Sequence, residues 1–199
     1  MKEKKKFVDP VLKYPNAMLR EICSPVEGVG SPEVKGFAQK LLIVCRMFEA
    51  FGLSAPQVGI PLRVVVIETK SCPLVKEFGY DPGDCSPNPI QKEYTRERHC
   101  YLINPIISNV SKETFKYKEG CLSLPKIQGV VSRPRSFDVT FFGVDGKSYT
   151  EHIKDTSTDV YGIIVQHEID HLDGKLFIDK MDNFNLMKIN NRINKLRRK

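Results

Sequence analysis

Two histidines and a glutamate stand together in the run Gln166-His167-Glu168-Ile169-Asp170-His171. Residues four apart on a helix lie one turn apart on the same face, so both imidazoles can reach one metal ion. Glu168 sits beside them and can take a proton from water that the ion acidifies. The chain has 4 histidines in all, and finding two of them in one turn weighs against a pair of ordinary core histidines. The chemistry this spacing points to is metal-dependent hydrolysis, with Glu168 as general acid/base.

A catalytic ion of this kind needs a third protein ligand and leaves a position for water. The HExxHxxGxxH pattern is followed as far as Gly174, but position 177 is Phe, which closes that route. Downstream only Asp179 and Asp182 remain, close behind the motif with no helix to bring them back, so the third ligand is expected upstream. Glu119-Gly120-Cys121-Leu122-Ser123-Leu124-Pro125 offers a cysteine after a glycine at a strand edge, where a metal would keep it a thiolate. Taken by itself, a cysteine at this position is more often a small buried residue than a ligand.

These residues need elements to carry them. The apolar period from Val34 to Phe51 predicts a helix, opened by Ser31 as cap and Pro32 in its first turn. Arg63 to Ile67 is short and β-branched and reads as a buried strand. Further strands are expected at Tyr101–Ile107, Thr114–Lys118, Gly129–Ser132 and Phe137–Phe142, then a tight turn at Asp145-Gly146 into Tyr149–Ile153. The motif helix is expected from about Thr158 to Asp173, with Gly174 ending it. Ile164, Ile163 and Val160 precede His167 by three, four and seven residues and share its face. They can form an apolar wall beside the metal or pack as plain core. A last amphipathic helix, 183–199, sets Leu186, Ile189, Ile193 and Leu196 against a basic face. Residues 70–100, rich in proline and charge, read as a loop insertion. Short strands segregated from a few helices indicate an α+β domain.

The chain has 199 residues and 41% hydrophobic content, which suits a single domain over 1–199. No apolar run approaches the roughly 20 residues that span a bilayer, and Met1–Pro10 lacks the apolar stretch of an export signal. Six cysteines (23, 45, 72, 85, 100 and 121) fall in no regular framework, so free thiols and a cytoplasmic setting are expected. The net charge of +7 is concentrated at the two ends of the chain. No DNA-binding signature accompanies it, which leaves a solvated helix face or a docking role.

Phe51-Gly-Leu-Ser-Ala-Pro-Gln57, Glu119-Gly-Cys-Leu-Ser123 and Gln166-His-Glu-Ile-Asp-His-Leu-Asp-Gly174 resemble, in order, the three motifs of the peptide deformylases. Val11–Arg20 and Leu102–Ile106 extend the likeness. The resemblance implies a monomeric α+β enzyme, its short sheets packed around a central metal-binding helix. Such an enzyme removes the N-formyl group from the initiator methionine of nascent polypeptides, releasing formate by metal-activated water. It implies Cys121, His167 and His171 as ligands of one divalent metal, usually Fe²⁺, with Zn²⁺, Ni²⁺ or Co²⁺ able to replace it. Glu168 would be the acid/base, with Gln57 and the backbone N–H of Leu122 as oxyanion hole. Gly52 and Phe51 would line the path of the peptide backbone, and Val160, Ile163 and Ile164 the methionine pocket. The basic last helix fits relatives that dock on the ribosome near the exit tunnel. Three departures stand out: Ala50 where the family has Gly, Ser54 where it has Ala, and Gln128 where many relatives have Arg or Tyr. Two rivals are a different HExxH peptidase and an inactive ribosome-associated module.

Overall fold

In a computed structural model of the chain, residues 9–68 and 101–198 are described. The expected insertion at 70–100, with Cys72, Cys85 and Cys100, lies outside the described residues. A five-stranded antiparallel sheet runs in the order β1 (Gly52–Ser54), β2 (Val64–Ile67), β3 (Tyr101–Ser108), β6 (Phe137–Phe142), β7 (Ser148–Ile153). A separate two-stranded ribbon pairs β4 (Thr114–Gly120) with β5 (Gln128–Pro134). Among the described residues three helices complete the frame: α1 (Pro32–Met47), α2 (Val160–Leu172) and α3 (Asn183–Arg197).

The β-branched run of β2 is explained by burial on both faces. Val64 and Val66 pack with Leu53, Ile103 and the α1 residues Ala38, Leu41, Leu42 and Cys45. Val65 and Ile67 face the other way, with Leu102, Phe141, Ile164, Val165 and Ile169. The sheet therefore separates α1 from α2, and α2 is buried at every residue from Tyr161 to Leu172. A helix so enclosed cannot slide or rotate without breaking core contacts, so the histidine face is held in a fixed direction.

Caps set the helix ends. Ser31 Oγ accepts from the Val34 N–H at 3.3 Å at the start of α1, as the sequence suggests. The end differs from expectation. α1 stops at Met47, short of the expected end at Phe51, because Glu49 takes φ 51° and the chain turns into β1. Asp159 caps α2 by accepting from Tyr161 N–H at 3.2 Å, and Gly174 follows it with φ 67°. At Gly174 a Cβ would stand 2.4 Å from the Arg20 carbonyl oxygen, so glycine is required by space as well as by angle. α3 buries Ile189 and Ile193 in a third cluster with Leu124, Val131, Phe177 and Met181. Among the described residues no helix is long and apolar enough to cross a membrane.

Candidate active site

His167 and His171 project from α2 toward the point where the chain leaves β4. There Cys121 Sγ lies 3.3 Å from His171 Nε2, and ligand atoms of Cys121, His167 and His171 all lie within 4.8 Å of one another. The two imidazoles meet edge to face at 5.2 Å between centroids. Phe177, which occupies the position of a third histidine in the longer motif, is buried and stacks on the His167 ring at 6.1 Å. Asp179 pairs with Arg20, and Asp182 caps α3, so neither turns back toward α2.

The tautomer of His167 is set by Glu119, whose Oε2 lies 2.7 Å from His167 Nδ1. A carboxylate only accepts, so Nδ1 donates and Nε2 is the nitrogen left for an ion. Glu119 is in turn gripped by Arg133, with Nε to Oε1 at 2.6 Å and a second bond to Oε2 at 2.7 Å. Arg133 also bonds Asp170, which lies 2.8 Å from Lys180 Nζ. Burial alone would raise the Glu119 carboxyl, but Arg133 and His167 bring it down to about 2. Arg133 is 0% and Glu119 4% exposed. Sequence reading missed both, although Arg133 could have been suspected as an arginine inside the apolar alternation of β5.

The thiol of Cys121 sits well below its ordinary value: burial pushes it up, and the imidazoles of His171 and His167 outweigh that. A thiolate with two imidazole nitrogens is a donor set that suits a divalent ion of intermediate softness. Among the described residues, two buried side-chain atoms here have no hydrogen-bond partner, Glu168 Oε2 and His171 Nδ1. An unsatisfied buried carboxylate oxygen beside three candidate ligands fits a group that must receive a proton from something bound in the site. Burial also pushes the Glu168 carboxyl up, with Cys121 adding to the rise and His167 and His171 opposing it.

Gln57 approaches from the 3-10 turn Ala55–Val58 that follows β1. Its Oε1 accepts from the Ser54 N–H and the Ser54 hydroxyl, both at 2.9 Å. This aims Nε2 at Cys121 Sγ (3.4 Å) and Ser123 Oγ (3.2 Å). Ser54 is 0% exposed and holds the Gln57 carboxamide. The Leu122 backbone N–H has no hydrogen-bond partner among the described residues.

A cleft of about 400 Å³ opens over these groups. Phe51, Gly52, Val160, Ile163 and Ile164 all line it, as do Ala50, Gln128 and the unforeseen Tyr117. Ile164 also belongs to the core between α2 and the sheet, so its wall and packing readings hold together. Gly52 has a tighter reason than access for a ligand. A Cβ there would fall 2.7 Å from Ile164 Cγ2 and 2.8 Å from Glu168 Oε1, so only glycine lets β1 run against α2.

A buried glutamate facing a Cys/His/His set inside an apolar cleft defines a metal-dependent hydrolase. The chain belongs to the polypeptide deformylase family, whose model matches residues 8–186. A peptide deformylase of Pelagibacter ubique is 30% identical over 190 residues, 96% of this chain and 95% of that protein. One from Bartonella tribocorum is 37% identical over 165 residues, 83% of this chain and 79% of its own length. Among solved structures, an inhibitor complex of Plasmodium falciparum peptide deformylase has TM-score 0.75 at 29% identity, covering 95% of this chain and 99% of that one.

Proposed function

We propose that Cys121, His167 and His171 hold the metal with which this chain hydrolyses the formyl group from formyl-methionyl peptides. The observation that carries the reading is the convergence of those three ligand atoms within 4.8 Å beside a buried, unsatisfied Glu168 oxygen. Fe²⁺ is the ion we assign, with Zn²⁺, Ni²⁺ and Co²⁺ as substitutes; once bound it acidifies water and polarises the formyl oxygen.

The chain's own groups account for the rest. Glu168 Oε2 accepts a proton from the attacking water and returns one to the leaving amine, a shuttle helped by burial that raises its carboxyl above the ordinary value. Gln57 Nε2 and the Leu122 N–H donate to the oxygen as its charge develops, and Ser54 keeps the amide from turning. Val160, Ile163 and Ile164 receive the unbranched methionine side chain, and Phe51-Gly52 borders the peptide backbone. The Glu168→Gln variant is expected to keep its metal and lose about 10²–10⁴-fold in turnover, read by formate release from formyl-Met-Ala-Ser. Substantial residual turnover in a metal-loaded variant would refute the role.

We also propose that residues 1–199 act as one domain, as a cytoplasmic monomer that meets nascent chains at the ribosome through α3. Because α3 packs Ile189 and Ile193 into the core, deleting it would expose core surface. Charge swaps at Lys188 and Lys195 test the docking instead, and unchanged ribosome co-sedimentation would remove it.

A further inference from the structure

A second cavity, of about 380 Å³, lies beside the catalytic cleft and shares Gly120, Cys121 and Gln128 with it. Gly120 and Gln128 are the last pair of the β4–β5 ribbon, so the cavity sits where the chain leaves the ribbon toward Cys121. Leu124 and Ile127 belong to its lining and to the third core cluster, which gives it an apolar floor. Two cations complete it: Lys126, in the left-handed region at φ 64°, and Arg192 from α3. Neither has an ion pair or hydrogen bond among the described residues. By contrast Arg20, Arg46, Arg63, Arg133 and Arg135 each have a carboxylate partner.

Two cations brought to one cavity without a carboxylate repel each other and attract an anion. An extended peptide advances about 3.3 Å per residue. Cys121 is common to both cavities, so a peptide with its formyl group at the metal that continues past Gly120 and Gln128 enters the second cavity. We propose that this cavity is a subsite for an acidic side chain at the second or third residue of the formylated peptide, with Lys126 and Arg192 supplying the charge. The inference rests on the cleft being the site of the formyl-peptide.

The test compares kcat/KM for formate release from formyl-Met-Ala-Asp, formyl-Met-Ala-Asn and formyl-Met-Ala-Lys, each amidated at the C-terminus, with the Asp/Asn/Lys series repeated at the second residue. Exposed charge pairs are weak, so the expected Asp-over-Asn preference is about three- to tenfold at low salt, shrinking as salt screens it. The Lys126→Asn/Arg192→Gln double variant should bring that ratio to about one, and Arg192→Glu should favour Lys. Because each ratio is internal to one enzyme preparation, a general loss of folding or metal cancels. An Asp/Asn ratio near one at both positions in the unaltered enzyme would overturn the proposal, as would a preference that the double variant keeps. A cavity that serves an RNA phosphate would give that flat result. Failure to release formate from any of the peptides would count against the deformylase reading itself.

Discussion

Replacing Arg133 by methionine is the sharpest test of how the site is held. The guanidinium is fully buried and makes two bonds to Glu119, at 2.6 and 2.7 Å, and a third to Asp170. Methionine has a similar length and no charge, so the packing is largely kept while Glu119 is left with His167 alone. Breaking one side of a buried ion pair costs about 3–5 kcal/mol, most of it the desolvation of the abandoned charge. Asp170 keeps Lys180 at 2.8 Å, so the lower half of that range is expected. For a chain of this size, 1 kcal/mol shifts Tm by about 2–4 °C, which gives a fall of about 6–16 °C in calorimetry of the metal-free protein. Metal affinity should fall about 10–100-fold, because Glu119 sets the tautomer of His167. Adding Glu119→Gln removes the abandoned charge and should recover part of the Tm while leaving affinity low. A single variant that melts within 2 °C of the parent would refute the claim that the Arg133 pair is a buried, interdependent unit.

Ser54→Ala removes one of the two donors at 2.9 Å that orient Gln57. A net hydrogen bond is worth about 0.5–1.5 kcal/mol, so kcat should fall about two- to tenfold with KM nearly unchanged in formate-release kinetics. A change confined to KM would mean that Ser54 shapes binding instead. Cys23 and Cys45 are buried, with the Cys23 thiol pushed up to about 11 by burial and Cys45 well above its ordinary value for the same reason. Both should resist iodoacetamide at pH 8 in the folded protein, whereas Cys121 should become reactive after chelation. Site-resolved mass spectrometry separates these thiols from Cys72, Cys85 and Cys100, and rapid labelling of Cys45 would contradict its burial.

Much of this protein was legible in the sequence wherever the information is local. His167, Glu168 and His171 share one turn of helix, so their relation follows from the 3.6-residue period alone. The cap at Ser31 and the glycine at 174 are equally local, and the strands from Tyr101 to Ile153 follow from alternation and turn chemistry. The three motif segments also carried the deformylase family, which the comparisons bear out. Other features depend on segments far apart in the chain meeting in space. β1 has only three residues and exists because β2 and α2 receive it, so the apolar pattern ran the preceding helix too far. Cys121 alone was ambiguous; its proximity to His171 required the ribbon to deliver it across a separation of 50 residues. Glu119, Arg133 and Asp170 form a unit that no single stretch of sequence displays, since its energy comes from burial that only the packed core provides. The helix determined which groups could do chemistry together. Tertiary structure determined that they are held in place, and that a second, positively charged cavity adjoins them, because desolvation and the meeting of distant strands are properties of the whole fold.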